Sequence, residues 1–455
     1  MPRRSWLSVP VVILALCFTH LLQAQNPAPS PPMGWSEWDS YGLSVTESEF
    51  RVNAEVLAGL RQYGWQYALL DAGWYLDNPG VQGGRPKYNL DANGRLIPAL
   101  SRFPSAAPSA GFAPLAAWLH ARGLKLGIHV MLGIPRQAVA GNLPIAGSTF
   151  RAAQAADTSA TCSWDKEFYV AADNPAGQAY YDSIAKLYAD WGVDFIKLGC
   201  VSDHPFHPWE IRQISEAIRR TGRPMVLSLS PGPLPQQYAH LAGRYAQMWR
   251  VAPEHWDFWD APPGKSASFV GLREAFDLFA QGSPLVKPGN WVDGDALPDG
   301  WLAPHPPVGE PRHSRLTVNE ESSEFALWAF ARAPLIEGAN LIRLDEPTRA
   351  FMTDRELLNI DQHATESHPV TGLPFNSGQL RVWEAQTINS GKPRRYFALF
   401  NLEDQPMTLQ AVWPSLGLQG ERHRVRDIWH NRGLAPAEST AVRLPPHGCA
   451  VYQVQ

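Results

Sequence analysis

Charged and polar side chains follow directly on short apolar runs in this chain. Tyr67-Ala68-Leu69-Leu70 runs into Asp71, Leu124 to Ile128 into His129, and Val193 to Ile196 into Lys197 and then Gly199. Met225-Val226-Leu227 leads to Ser228 and Ser230, Tyr245 to Trp249 to Arg250, and Asn290-Trp291 to Asp293 and Asp295. If the runs are strands ending on one rim, these groups converge on a polar ligand. Asp71 alone would serve as a turn cap, but its place between Leu70 and Trp74 favours ligand contact. Glu254, in Ala252-Pro253-Glu254-His255, reads by itself as a solvated loop acid. Asp203-His204-Pro205-Phe206-His207 sets two histidines three apart beside a carboxylate. Its prolines break any helix, and loop histidines mostly bind no metal, so no metal site is expected. The 18 tryptophans offer flat indole faces for sugar rings or bulk for a core.

The elements that must position these groups alternate. Between the apolar runs, Glu47 to Tyr63, Phe112 to Arg122, Gln178 to Asp190 and Trp209 to Thr221 repeat apolar residues at three- and four-residue spacing, the mark of helices. Strand–helix alternation implies a parallel sheet. Units of this kind from residue 31 onwards suit a (β/α)₈ barrel, which gathers its polar strand ends at the C-terminal rim. An open doubly wound sheet is the alternative, but no glycine-rich dinucleotide turn follows the first strand. Beyond about residue 366 helical periodicity stops. Leu380 to Gln386, Tyr396 to Asn401, Met407 to Val412, His423 to Ile428 and Ala441 to Leu444 read as strands between turns. The expected organisation is a signal at 1–24, a barrel at 25–366 and a small antiparallel β-sandwich at 367–455.

Residues 1–24 carry Arg3 and Arg4, an apolar stretch from Val11 to Phe18, and a small residue at Ala24, the pattern of a secretory signal. His20 interrupts the stretch, which is short for a membrane span. A secreted or periplasmic protein is expected, with no membrane association after the signal is removed. Such a compartment permits disulfides. Cys17 leaves with the signal, and spacing alone does not choose a pair among Cys162, Cys200 and Cys449. With 39 basic and 43 acidic residues the net charge is −4 and no basic stripe appears, so no nucleic-acid partner is expected.

Several segments, in order, resemble glycoside hydrolase family 27, the α-galactosidases and α-N-acetylgalactosaminidases. They are Pro32-Met33-Gly34-Trp35-Ser36-Glu37-Trp38, Gly123 to Ile128, Trp191-Gly192-Val193-Asp194 with Lys197, Trp249-Arg250, Gly289 to Asp295, Ala333-Pro334-Leu335 and Arg426 to Trp429. The resemblance implies a retaining hydrolase with two carboxylates about 5–5.5 Å apart. The position matching the nucleophilic aspartate is Gly199. The acid/base position, four residues after Arg250, is Glu254. By the same resemblance Trp38 stacks on the sugar, and Asp71 binds the hydroxyls at carbons 4 and 6, with Ala72 in place of a second aspartate. Lys197 and Arg250 match residues that contact the sugar and the nucleophile, Asp295 matches a rim aspartate that binds the sugar side, and His129 stands where tyrosine is common. Ser228 and Ser230 face the substituent at carbon 2. The resemblance also implies a Cys162–Cys200 disulfide, leaving Cys449 free.

The implied function is an exported hydrolase of terminal α-linked galactose or N-acetylgalactosamine, acting on oligosaccharides or polysaccharides without a cofactor. Because position 199 is glycine, either another group attacks or Glu254 works with water. Asp203 is the replacement nucleophile that sequence proximity suggests. The alternative is a carbohydrate-binding protein that keeps Trp38, Asp71, Arg250 and Asp295 but does not turn over.

Overall fold

The computed structural model describes residues 26–79, 86–107, 109–202, 206–264, 268–372, 376–418, 420 and 422–455. The expected signal segment and Asp203 lie outside them.

Eight parallel strands are arranged in sequence order: β1 (Met33–Ser36), β2 (Tyr67–Leu70), β3 (Lys125–Met131), β4 (Phe195–Gly199), β5 (Val226–Leu229), β6 (Met248–Arg250), β7 (Trp291–Asp293) and β8 (Leu335–Glu337). β8 pairs with β1, and Leu297, just after β7, bridges to β8. Its N–H donates to the Ile336 carbonyl at 2.8 Å, and its carbonyl accepts from Gly338 at 2.9 Å, which carries the ring across its last gap. Two glycines let the strands close up. A Cβ on Gly34 would lie 2.4 Å from the Tyr67 carbonyl oxygen, and one on Gly127 would lie 2.2 Å from a Leu69 methyl. Only glycine admits such approach.

Helices pack outside the ring: α1 (Glu47–Leu60), α2 (Ala113–His120), α3 (Pro175–Asp190), α4 (Pro208–Thr221), α5 (Ala239–Tyr245), α6 (Leu272–Gly282), α7 (Val318–Ala331) and α8 (Arg355–His363). The first shows why. Thr46 and Glu49 form a reciprocal capping box, and Phe50, Ala54, Leu57 and Leu60 bury one face. In α4, Ile211, Ile214, Ala217 and Ile218 do the same before Gly222 ends the helix at φ 72°.

Most tryptophans belong to the core. Trp35, Trp65, Trp74, Trp256, Trp291, Trp328, Trp383 and Trp413 are among the largest fully buried side chains. No helix among the described residues is long and apolar enough to cross a membrane.

From Ala364 the chain enters an antiparallel sandwich. Strands β9 (Ala364–Pro369), β10 (Leu380–Asn389), β11 (Lys392–Asn401), β13 (His423–Asp427), β14 (Arg432–Ala437) and β16 (Cys449–Val454) form one sheet; β12 (Met407–Val412) and β15 (Ser439–Leu444) form the other. Val382, Phe397, Leu399, Trp413, Val425, Val442 and Leu444 fill the space between them. The sandwich docks on the barrel through α7, where His447 Nδ1 meets Glu320 at 2.6 Å and stacks on Trp259 at 3.9 Å between centroids.

Candidate active site

The C-terminal ends of the strands open into a cavity of about 440 Å³, within the range of small-molecule sites (roughly 300–1,000 Å³). Trp38, Asp71, Ala72, His129, Lys197, Ser230 and Glu254 all line it. Trp38 begins a single helical turn directly after β1. Trp164, Trp256 and Phe269 add aromatic surface, and Trp164 is half exposed at the mouth. The site therefore combines a charged floor with aromatic walls, as a polyhydroxylated ring requires.

The floor is built from paired charges. Asp71 follows β2, and its own N–H donates to both Glu37 carboxyl oxygens at 2.8 and 3.0 Å. Its Oδ2 accepts from Lys197 Nζ at 2.7 Å and from Ser36 Oγ at 3.3 Å; its Oδ1 accepts from the Ala72 N–H at 2.7 Å. Burial would raise the Asp71 carboxyl, but Lys197 and these donors hold it below its usual range. Burial and the Asp71 charge push Glu37 well up. Lys197 is raised despite burial, because Asp71, Asp295 and Glu254 face it.

Arg250, which ends β6, is almost fully buried and stands behind the cavity wall. Its Nη1 pairs with Asp295 Oδ1 at 2.7 Å and reaches Glu254 Oε1 at 3.5 Å; its Nη2 donates to the Pro253 carbonyl. Asp295 sits beyond β7 at φ 93° and also accepts from the His255 N–H at 3.1 Å. His255 Nε2 lies 2.5 Å from Glu324, which anchors the segment carrying Glu254. The expected sugar contacts thus divide: Asp71, Lys197, His129, Ser230 and Trp38 line the cavity, whereas Arg250 and Asp295 brace Glu254 from behind. Glu254 is pushed up to about 7 by burial and by Asp295, against the pull of Arg250 and Lys197. A carboxyl poised there donates a proton near neutrality.

Gly199 ends β4, level with Met131 of β3, while His129 is level with Lys197. A Cβ at position 199 would stand 2.5 Å from His129 Nε2 and 2.7 Å from its Cε1. The imidazole thus crowds the space where any side chain at 199 would begin. Its Nδ1 is buried without a hydrogen-bond partner among the described residues. Burial, with Lys197 beside it, lowers His129 to about 4, while Asp71 works in the other direction. The ring is neutral at physiological pH. Cys200 follows at φ 66° and is bonded to Cys162, which ties the Trp164 loop to the end of β4. Ser228 is buried beneath the floor and does not line the cavity. Cys449 is a free buried thiol, far up from its usual pKa at about 11 because of burial.

Sequence reasoning assigned no role to Glu37 or Asp39, although both flank Trp38. Asp39 is buried, and burial and Asp295 raise its carboxyl strongly. Two acids beside an aromatic at a strand end were the available signal. No group of three or more histidine, cysteine or acidic side chains among the described residues is arranged to hold a metal.

Comparisons with known proteins agree with this architecture. Residues 163–363 match the family model described as alpha galactosidase A, and residues 377–454 match the alpha galactosidase C-terminal beta sandwich domain. An alpha-galactosidase of Oryza sativa is 26% identical over 93% of this chain and 84% of its own length. An alpha-N-acetylgalactosaminidase of Gallus gallus is 28% identical over 93% of each. Among solved structures, a family 27 β-L-arabinopyranosidase of Geobacillus stearothermophilus is 36% identical, covers 94% of this chain and 97% of its own, and superposes with a TM-score of 0.87. An aspartate-to-alanine variant of that enzyme, in complex with arabinose, is 37% identical with the same TM-score. Barrel, sandwich and full-length likeness together make this chain a member of glycoside hydrolase family 27.

Proposed function

We propose that this protein is an exported glycoside hydrolase that removes terminal pyranosyl residues with the ring configuration of α-D-galactose, including β-L-arabinopyranosides. The observation that carries this reading is one cavity in which the Asp71–Lys197 pair and Glu254 face Trp38. Trp38 stacks on the apolar face of the ring, Asp71 and Lys197 take ring hydroxyls, Ser230 lies towards carbon 2, and Glu254 protonates the leaving oxygen. A β-L-arabinopyranoside has the ring of an α-D-galactopyranoside without the carbon-6 arm. Ala72 lines the cavity and offers that arm no polar partner. The likeness to a β-L-arabinopyranosidase supports the same substrate class. Export agrees with the Cys162–Cys200 disulfide, which persists in oxidising compartments.

The experiment compares kcat/KM on nitrophenyl α-D-galactoside, α-N-acetylgalactosaminide and β-L-arabinopyranoside. The arabinopyranoside is expected to be the best substrate, and Ala72→Asp to shift preference towards the galactoside. A second reading, sugar binding without turnover, is favoured by Gly199 alone. Saturable quenching of tryptophan fluorescence by galactose or arabinose, with no hydrolysis of any of the three glycosides, would establish it instead.

A further inference from the structure

Gly199 removes the side chain that would attack the sugar, and the space is only partly refilled. His129 Nε2 stands 2.5 Å from where a Cβ at 199 would be. A carboxylate oxygen would project about 2.4 Å beyond that Cβ. Nε2 is therefore about as far from that Cβ as a carboxylate oxygen would be, and His129 lines the cavity. A water donating to Nε2 from the cavity side, at about 2.8 Å, would stand between the ring and a bound sugar.

Resting on the hydrolase reading above, we propose that His129 is the catalytic base of an inverting hydrolysis: its Nε2 takes a proton from a water held in that space, and Glu254 protonates the leaving oxygen. The bond from the anomeric carbon to the leaving oxygen breaks as the bond to the water oxygen forms. The water's proton goes to Nε2, and the Glu254 proton goes to the departing alcohol. Solvent then carries one proton from His129 and returns one to Glu254. No oxidant, metal or covalent intermediate is needed.

The charge environment is compatible. Asp71 and Lys197 face His129 from β2 and β4, and with burial they set its proton affinity close to that of an ordinary carboxylate, at about 4. Asp295, Arg250, Lys197 and Asp71 face Glu254, which stands at about 7. The base is free above the lower value and the acid is loaded below the upper one, so kcat/KM should peak between them.

The test is proton NMR of the first-formed sugar from nitrophenyl α-D-galactoside, or from the β-L-arabinopyranoside, with the unaltered protein. Inversion, seen as β-galactose (or α-L-arabinopyranose) before mutarotation, is expected. Retention would overturn the inference and leave the hydrolase reading standing; no turnover of either glycoside would overturn both. His129→Ala should lower kcat/KM by about 10²–10⁴-fold. Azide needs no base, so it should restore turnover in that variant and yield the inverted glycosyl azide. Undiminished hydrolysis by His129→Ala or by His129→Gln would refute the role.

Discussion

Replacing Gly199 by alanine adds one carbon atom at the most crowded point of the floor. β4 is regular strand at this position, so alanine has no backbone obstacle. In an open strand the exchange would stabilise by about 0.5–1 kcal/mol, because glycine loses more chain entropy on folding. Here the new atom meets His129 Nε2 at 2.5 Å and Cε1 at 2.7 Å, with Met131 Sδ at 3.4 Å. Overpacking of a buried ring costs about 1–3 kcal/mol. In a His129→Ala background the obstacle is gone and the entropic gain remains. That gain is common to both backgrounds and cancels, so the coupling between the two sites should be the overpacking alone, about 1–3 kcal/mol, beyond the ~0.5 kcal/mol scatter of independent sites. Urea unfolding of the four proteins in the cycle, read by tryptophan fluorescence, measures it. Equal effects of Gly199→Ala in both backgrounds would show that the imidazole does not fill the root of position 199.

Glu254→Gln should abolish the fall in kcat/KM that the unaltered protein shows as pH rises through about 7, because that limb reports loss of the acid's proton. It should slow glycosides of poor leaving groups far more than nitrophenyl glycosides; equal slowing would argue against the acid role. Lys197→Met leaves Asp71 charged and largely buried and should destabilise the protein by about 3 kcal/mol. Adding Asp71→Asn should recover part of that loss, and a failure to recover any would mean the pair does not carry the effect. Removing the Cys162–Cys200 bond, whose cysteines are 38 residues apart, should cost up to roughly 4 kcal/mol. Urea midpoints of Cys162→Ser/Cys200→Ser against the oxidised parent would show it.

The strands were legible because each is a short apolar run ended by a polar residue, and β2 matches the run Tyr67 to Leu70 residue for residue. The helices were legible from their repeat, with ends displaced by a few residues: the stretch read as Glu47 to Tyr63 is an α-helix to Leu60 and a 3₁₀ turn beyond it. That Asp71, Lys197, His129 and Ser230 share one cavity followed from a rim argument, whereas Glu254, read by itself as a loop acid, was reached only through the family resemblance. What sequence could not supply is the partnering across strands. Arg250 turning to Asp295 and not into the cavity depends on the loops after β6 and β7 meeting. His129 leaning over Gly199 depends on the β3–β4 register, in which the two are two positions apart. The tryptophans stayed open in the sequence for another reason. An indole suits a core as well as a sugar, and only the fold separates Trp38 from Trp35.

Glycine at position 199, where the family resemblance implies an aspartate, raises a question of charge balance, because burying unpaired cations is costly. The site avoids that cost. Lys197 keeps Asp71 and Arg250 keeps Asp295, each at 2.7 Å, while Glu37, Asp39 and Asp293 are all raised by burial. Carboxyls already exceed cations there, so one anion fewer relieves repulsion, and a neutral imidazole restores volume without adding charge. Gly199 and His129 are then one replacement, not two. Gly199→Asp alone must displace a buried ring and should regain little activity. Gly199→Asp with His129→Ala removes the ring and frees the start of the side chain for a carboxylate beside Lys197. That double variant should hydrolyse nitrophenyl galactoside with retention, in contrast to the inversion expected of the parent. Equal retaining activity in the single and double variants would refute the claim that the two positions act as a unit.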